Sequence, residues 1–388
     1  MSHRTLLVAL LAWLISMSSC QKTLWTGGQV TQTTLDKWMP VEFTDNLLFL
    51  TVRVNGRPYR FMLDSGAPNV IDQRVAAELG LPVVASNHFK DSQRQRQRLD
   101  VAEMAQLQFG GQTIRHARTV VADLSHFSCS NMDGLLGANV LQHFDLEIDY
   151  SRPAVRFTRN TDAYALARDF PIHFPFETTR QGSPKIRASV GGETRRFTLD
   201  TGSASSVTMG GVEPNDLDGV LRSRWIFGAT SRGVFGTRTD TTHFALMDRL
   251  DFPDSLSFER IYATLRPHAS DIIGNRFWKN YRVLISWAHR RAYLREAKHD
   301  VAELPETQLY LTHYDDHVTV RAVGAEFLKK YPYLTPEMRV VSINGRNLNH
   351  IDEVQFCNLP HVDYYELIVE DAAGETYALS TEERMIVF

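Results

Sequence analysis

Two short and nearly identical motifs each end an apolar strand in an aspartate. Residues 61–67 run FMLDSGA and residues 197–203 run FTLDTGS, so Asp64 and Asp200 occupy the same place in each copy. Each motif is followed by Asp, two apolar residues and Gly, in residues 133–137 (DGLLG, with one extra Gly) and 271–274 (DIIG). The second element begins 69 residues after Asp64 and 71 residues after Asp200. This repeat indicates one duplicated lobe, with each copy supplying one aspartate to a shared centre.

The chemistry open to such a pair is acid–base catalysis. Two carboxyl groups about 3 Å apart cannot both ionise, so they share one proton. The ionised carboxylate can take a proton from a water molecule, while the protonated carboxyl polarises the carbonyl group under attack. The pattern therefore predicts hydrolysis by an activated water, with Asp64 and Asp200 as the catalytic residues.

The residues around the two aspartates suit this centre. Gly66 and Gly202 let the backbone turn where a side chain would block the approach of the other lobe. The hydroxyl groups of Ser65 and Thr201 can each bond across to the opposite loop and clamp the two loops together. We expect four further small residues to support these loops: Ala67, Ser203, Gly137 and Gly274.

These motifs resemble the aspartic peptidases, and more closely their retropepsin-like bacterial branch. That family's signature is two apolar residues, Asp, Thr or Ser, Gly, and Ala or Ser, followed by an apolar-apolar-Gly element that threads under the catalytic loop. The resemblance covers roughly residues 40–300. It implies two β-barrel lobes, each with a flap hairpin that folds over the substrate.

The two loops are not equivalent. Ser203 can donate a hydrogen bond to the Asp200 carboxylate, whereas Ala67 cannot do the same for Asp64. We therefore expect Asp64 to hold the shared proton more often, and the pair to titrate as a unit. An optimum nearer neutral pH than in gastric relatives would follow.

Composition sets the outer limits of the prediction. The chain has 388 residues, which favours two to three domains, and its hydrophobic content of 43% is ordinary for a globular protein. A formal charge of −3 gives no field that would favour nucleic acid. The sequence holds no serine- or zinc-peptidase motif and no phosphate-binding loop, so we expect neither a cofactor nor a metal.

The N-terminus predicts export. Arg4 precedes an apolar run over residues 6–17 that is too short to cross a bilayer comfortably. Small residues before Cys20 resemble a bacterial lipoprotein signal, with residues 1–19 removed and residues 20–39 forming a lipidated N-terminus and tether. The protein would then be lipid-anchored in the cell envelope, facing the periplasm, and a plain secretory signal is the alternative.

The chain holds two further cysteines, Cys129 and Cys357, which fall in different predicted domains. They could pair, but we favour two buried free thiols.

Hairpin signals place both aspartates within mostly β lobes, over residues 40–160 and 161–302. Asn55-Gly56 and Gly191-Gly192 each separate two strands, the second of which runs into the catalytic Asp. Residues 71–79 predict a short helix that ends at Gly80. The lobes close alike, at residues 144–148 and 281–285.

Flap hairpins are expected between each Asp and its later Gly. In lobe 2 the aromatic and Gly-rich residues 224–236 fit a mobile lid, with Trp225, Phe227 and Gly228 as possible flap residues. In lobe 1 the counterpart is residues 93–98, where strand alternation would place Arg94, Arg96 and Arg98 on one face. A basic wall that favours acidic peptides is one interpretation, and a solvated strand face is the favoured one.

Residues 303–388 resemble a PDZ domain. The match lies in a strand at 318–323, a short helix at 325–330 and a loop that ends in Ile343-Asn344-Gly345. PDZ domains bind peptide termini by adding a strand to their sheet. Peptide capture and a purely packed, structural domain both stay open, since no clear carboxylate-binding loop is evident. The nearby His313, Asp315, Asp316 and His317 suggest either a metal site or, as we favour, a polar turn.

The predicted fold is thus mostly β, with two pseudo-symmetric aspartic-peptidase-like β-barrel lobes in one chain and a small α+β PDZ-like domain. The predicted function is an aspartic endopeptidase that hydrolyses exported proteins or peptides. Since one chain supplies both lobes, we expect a monomer. The alternative is a non-catalytic envelope lipoprotein that uses the cleft and the PDZ-like domain to bind peptides.

Overall fold

The computed structural model describes residues 25, 27–159, 162–253, 255–297, 304, 308–314, 316–359, 364–381 and 385–387. The described chain is mostly β-strand, in barrel-like sheets, and this confirms the predicted fold class. The export signal and Cys20 lie outside the described residues. Within those ranges, no helix is both long and apolar enough to cross a bilayer.

Lobe 1 contains twelve strands and two short helices among its described residues. They are β1 (Gln29–Gln32), β2 (Trp38–Pro40), β3 (Glu42–Thr44), β4 (Leu47–Val54), β5 (Arg57–Asp64), β6 (Val70–Asp72), α1 (Gln73–Glu78), β7 (Val83–Lys90), β8 (Arg96–Phe109), β9 (Gln112–Ala122), a 3₁₀ turn (Ser125–Ser130), β10 (Gly134–Gly137), α2 (Ala138–Leu141), β11 (Asp145–Asp149) and β12 (Ala154–Thr158).

Lobe 2 repeats this order. Its elements are α3 (Ala163–Asp169), β13 (Ile172–Pro175), β14 (Glu177–Thr178), β15 (Pro184–Val190), β16 (Glu193–Leu199), β17 (Val207–Gly210), a 3₁₀ turn (Pro214–Asp216), β18 (Val220–Gly228), β19 (Arg232–Gly233), β20 (Gly236–Thr237), β21 (Asp240–Phe252), β22 (Leu256–Arg266), β23 (Ile272–Ile273), α4 (Asn275–Trp278), β24 (Tyr281–Ser286) and β25 (Arg291–Glu296).

The C-terminal domain follows. Its elements are β26 (Leu309–Tyr314), β27 (His317–Gly324), α5 (Ala325–Lys330), β28 (Arg339–Ile343), β29 (Arg346–Asn347), α6 (Glu353–Cys357), β30 (Tyr365–Glu370), β31 (Thr376–Thr381) and β32 (Met385–Val387).

Both predicted hairpins form, and each brings its second strand to an aspartate. The β4–β5 hairpin turns at Asn55-Gly56, where Asn55 has a φ of 50° and Gly56 a φ of 87°. The β15–β16 hairpin turns at Gly191-Gly192, and its second strand ends just before Asp200. The predicted helix after Asp64 is shorter than expected, because residues 70–72 form β6 and Asp72 caps α1 through the Arg74 N–H.

The segment predicted as a tether differs from expectation. Strand β1 pairs with β9, and β2 pairs with β12. Residues 29–40 therefore contribute strands to the lobe 1 sheets, because their backbone groups complete edges of those sheets.

A six-stranded sheet joins the two lobes. Strand β11 of lobe 1 pairs antiparallel with β24 of lobe 2, so the two lobes meet at equivalent strands. Glu147 at this junction is fully buried and paired with Arg156 and Arg282. One large hydrophobic core runs through both lobes on either side of the junction.

The C-terminal domain is attached to both lobes. Strand β27 pairs with β18, so the sheet of lobe 2 continues into this domain. On the other side, Cys129 of lobe 1 and Cys357 of α6 form a disulfide, with an S–S distance of 2.06 Å. The favoured prediction of two free thiols was therefore wrong: the 3₁₀ turn that carries Cys129 packs against α6.

Candidate active site

Each candidate aspartate lies where two parallel strands end together. Strand β5 ends at Asp64 beside the parallel strand β10, with Gly137 opposite Asp64. In lobe 2, β16 runs parallel to β23, and the Asp200 N–H donates to Ile273 O at 3.0 Å. The downstream apolar-apolar-Gly elements thus hold the strands that present the two carboxyl groups.

A reciprocal set of hydrogen bonds clamps the two loops, as their hydroxyl residues predict. The Ser65 Oγ donates to Leu199 O (2.8 Å), and the Thr201 Oγ1 donates to Leu63 O (3.0 Å). Each hydroxyl oxygen also accepts the backbone N–H of the other residue, at 2.9 and 3.0 Å. Both side chains are fully buried, so these four bonds are shielded from water and fix the lobes against each other.

The glycines after the hydroxyl residues bring the carboxyl groups together. A methyl group on Gly66 would lie 2.5 Å from the Asp200 Cγ, and one on Gly202 would lie 2.4 Å from the Asp64 Cγ. Each aspartate therefore sits against the opposite loop, where only glycine fits. The two carboxyl groups therefore lie close together, and each influences the pKa of the other.

The protonation of the pair is unequal. Burial raises the pKa of Asp64, but its Oδ1 accepts two backbone N–H groups, from Gly66 (2.8 Å) and Ala67 (2.9 Å), that stabilise the anion. Burial and the adjacent Asp64 charge raise the pKa of Asp200 well above its ordinary value, and its Oδ1 accepts one backbone N–H, from Gly202. The smaller number of backbone donors to Asp200 therefore favours the shared proton on that carboxyl group.

This reverses the expectation that Asp64 holds the proton. The expectation assumed a hydrogen bond from Ser203 to the Asp200 carboxylate. The Ser203 hydroxyl is instead hydrogen-bonded to the Ser205 hydroxyl at 2.8 Å, while Ala67 stabilises Asp64 through its backbone N–H.

The downstream glycines support the loops at close range. A methyl group on Gly137 would lie 2.1 Å from the Pro68 carbonyl carbon, and one on Gly274 would lie 2.6 Å from Ser203 O. Neither position has room for a side chain.

Two asparagines that sequence reasoning missed complete this support. Asn139 accepts the Asn69 N–H at 2.7 Å, and Asn275 donates to Thr201 O at 2.7 Å. Both are essentially fully buried. Their position one or two residues after the Gly of each repeat is a signal that could have identified them.

The hairpin tips of the two lobes meet each other. Flap 1 (β7, residues 91–95 and β8) and flap 2 (β18, residues 229–239 and β21) occupy equivalent places. The Gln93 side chain of flap 1 donates to Gly236 O (3.0 Å) and Ser231 O (3.3 Å) of flap 2. Each tip also touches the opposite lobe, through a bond from Ser270 N to Ser92 O (2.8 Å) and one between His126 Nε2 and Gly233 O (3.0 Å).

The predicted flap residues of lobe 2 lie away from the tip. Trp225 and Phe227 are exposed on β18, and Trp225 lines a groove with α5 of the C-terminal domain. Gly228 packs against Arg321 of β27, with room for no methyl group. Phe227 and Gly228 pair with β27, so this part of flap 2 adjoins the C-terminal domain.

The less favoured interpretation of flap 1, a basic wall of three arginines on one strand face, does not hold. Arg94 lies in the turn before β8, with a φ of 61°, whereas Arg96 and Arg98 are exposed residues of β8 itself. The alternation assumed a strand from residue 93, whereas β8 begins at Arg96.

The central strand of the C-terminal domain has partner strands along both of its edges. Strand β27 pairs along one edge with β26 and along the other with β28 and β18. His313 bonds to Ile351 O, and Asp316 bonds to His317 and His350. In the part of the chain that the structure describes, which omits Asp315, no group of three His, Cys, Asp or Glu residues could hold a metal ion.

Two barrel-like lobes with clamped aspartate loops are consistent with an aspartyl-protease-like fold. Residues 50–140, which include Asp64 and the first DGLLG element, match the family model described as Aspartyl protease. No curated protein matches the chain.

Two solved structures are among those that match this chain. Basic 7S globulin from soybean is 11% identical with a TM-score of 0.39, over 67% of this chain and 94% of its own. A retropepsin-like aspartic protease from Rickettsia conorii is 16% identical with a TM-score of 0.24, over 33% of this chain and 94% of its own.

Proposed function

We propose that the protein is an aspartic endopeptidase in which Asp64 and Asp200 activate one water molecule. The observation that carries this proposal is the close approach of two carboxyl groups, Asp64 buried and Asp200 half-buried, held by a reciprocal clamp from both lobes. A structural role alone would not favour burying two adjacent acids, since burial penalises their charge.

The proton positions define the steps of the reaction. The Asp64 carboxylate takes a proton from the water, whose oxygen attacks the peptide carbonyl carbon, while Asp200 donates its proton to the carbonyl oxygen. Collapse of the tetrahedral intermediate breaks the C–N bond, with the proton on Asp64 passing to the leaving nitrogen and the proton on the intermediate returning to Asp200. Both carboxyl groups end in their starting states.

The substrates we propose are exported proteins or peptides, met by a lipid-anchored monomer on the periplasmic side of the cell envelope. The sequence around Cys20 supports the anchor, and the presence of both lobes in one chain supports the monomer. Intact-mass measurement of the mature protein, with Cys20→Ser as control, tests the lipid.

Cleavage of a denatured protein tests the catalytic proposal. We expect cleavage that pepstatin inhibits, and a loss of at least about 10²–10⁴-fold in kcat/KM for Asp64→Asn and for Asp200→Asn. Asp169→Asn, a change at an exposed carboxylate of α3, should leave the rate unchanged. An absence of cleavage from acid to mildly alkaline pH would favour the peptide-binding alternative instead.

A further inference from the structure

The strand that ends at Asp200 has one face in the core and one face toward the site. Phe197 and Leu199 are fully buried members of the core that spans both lobes. Because side chains alternate along a strand, Thr198 shares the opposite face with Asp200. Thr198 is itself 6% exposed, so this face is also covered.

A lysine stands beside this face. Lys185 of β15 pairs directly with Thr198 across the hairpin, and its Nζ donates to the Thr198 Oγ1. Its neighbour Ile186 points into the core, so Lys185 points the other way, toward the face that carries Asp200. Burial lowers the pKa of Lys185, while the Asp200 and Asp271 carboxylates act in the opposite direction.

The equivalent positions of lobe 1 are apolar. Asp64 shares its strand face with Met62, and Met62 pairs with Phe49 across the β4–β5 hairpin. Both side chains are nearly fully buried in a cluster that also contacts Ala67 and the flap 1 residue Phe89. That cluster therefore lies between the Asp64 loop and the flap.

The contrast extends along both walls. In lobe 1, Met62 pairs with Leu135 of the neighbouring strand. In lobe 2, Thr198 pairs with Ile272 in the equivalent way. We call these two sets of paired residues the lobe 1 wall and the lobe 2 wall. The lobe 1 wall, from one apolar cluster, consists of Phe49, Met62, Leu135, Val70 and Val120. The lobe 2 wall consists, in the same order, of Lys185, Thr198, Ile272, Thr208 and Thr264. Four of the five apolar positions of lobe 1 are thus polar in lobe 2.

We propose that the cleft is chemically two-sided: the lobe 1 wall takes an apolar substrate side chain, and the lobe 2 wall takes an Asp or Glu side chain through Lys185. This inference rests on the proposed peptidase function and names its substrate class. An ammonium group has three N–H donors, and Thr198 accepts one of them. A substrate carboxylate can accept another in a half-buried position, where a charge-assisted bond is stronger than at the surface.

Other nearby charges fit this role less well. The exposed Arg96 and Arg98 of flap 1 are solvated. Arg60 lies over the Phe49 ring in lobe 1, but it is paired with Glu42. Arg266 at the end of the lobe 2 wall is paired with Asp240.

Cleavage-site profiling of a proteome-derived peptide library by the full chain tests the proposal. We expect Asp or Glu to be enriched about tenfold at one position on one side of the scissile bond, with apolar residues on the other side. Lys185→Met should remove the acidic enrichment, Lys185→Glu should replace it with Lys or Arg, and Lys185→Arg should keep it. Arg187→Met is the matched control, since Arg187 lies two residues further along the same strand face and is exposed.

A binding experiment separates this inference from the peptidase proposal. The same library is equilibrated with Asp64→Asn and with Asp64→Asn/Lys185→Met, and the retained peptides are sequenced. Acidic peptides retained only by the first protein support the inference even where the wild type cuts nothing. Identical cleavage profiles, or identical retained peptides, with and without the Lys185 ammonium would overturn it.

Discussion

Asp64 and Asp200 differ in how many backbone N–H groups each carboxyl accepts, and this sets the expected pH dependence. The proposed mechanism requires Asp64 to be ionised and Asp200 to be protonated. Because burial raises both pKa values above 3.8, the acid limb of kcat/KM, where Asp64 gains a proton, should lie above pH 3.8. The alkaline limb, where Asp200 loses its proton, should lie higher still, so that a bell-shaped profile results. A sharp maximum below about pH 3 would contradict this assignment.

The Thr201 hydroxyl can be tested by substitutions of similar volume. Thr201→Val removes the bond to Leu63 O and leaves the Ser65 N–H without its acceptor, in a fully buried place. We expect the free energy of unfolding to fall by about 2–4 kcal/mol. Thr201→Ser keeps the hydroxyl and should lose much less. Equal losses for the two variants in denaturant titrations would mean that packing of the methyl group, and not the clamp, stabilises the loops.

At the scale of single residues, the sequence identified the paired aspartates and hydroxyl residues but not the protonation state of each aspartate. Asp64, Asp200 and the hydroxyl clamp follow from residue types that recur in both copies. The position of the proton does not, because it depends on whether Ser203 turns toward Asp200 or toward Ser205. The Lys185 position is likewise visible only once strand pairing places it opposite Thr198.

At the scale of the elements, flap 2 is held by the C-terminal domain, and flap 1 has no such support among the described contacts. Strand β18 continues into β27, and Arg321 of β27 donates to Ala229 O and Ser231 O in the turn of flap 2. Arg321→Met should therefore loosen this turn. We expect amide hydrogen exchange in residues 229–239 to quicken by roughly tenfold.

A matched control for this change is Lys329→Met, since Lys329 is exposed on the neighbouring helix α5. Exchange in residues 229–239 should then stay at the wild-type rate. Unchanged exchange in Arg321→Met as well would show that strand pairing alone holds flap 2.

Local patterns predicted the hairpins well, because Asn-Gly and Gly-Gly turns are short-range signals. The pairing of β18 with β27 joins residues almost a hundred positions apart, and no local pattern encodes it. The sequence therefore placed the aromatic residues Trp225 and Phe227 in a flap, but it could not show that they adjoin the C-terminal domain.

On the scale of the whole molecule, the disulfide closes a long loop between lobe 1 and the C-terminal domain. Cys129 and Cys357 are 228 residues apart in sequence. Loop closure of this length predicts that Cys357→Ser lowers the free energy of unfolding by about 2–5 kcal/mol. Dithiothreitol should shift the unfolding midpoint of the wild type toward that of the variant and leave the variant itself unchanged. A variant as stable as the oxidised wild type would show that the domain is held by its other contacts.

Because the sheet of lobe 2 continues into the C-terminal domain, the two flaps are expected to open at different rates. In the proposed function, a polypeptide that reaches the aspartates must separate the two flap tips. The tip of flap 1 is held to flap 2 by a few hydrogen bonds. Flap 2 is held by strand pairing to the C-terminal domain, which the Cys129–Cys357 disulfide joins to lobe 1. Access is therefore expected to be one-sided, with flap 1 moving while flap 2 stays fixed to the C-terminal domain.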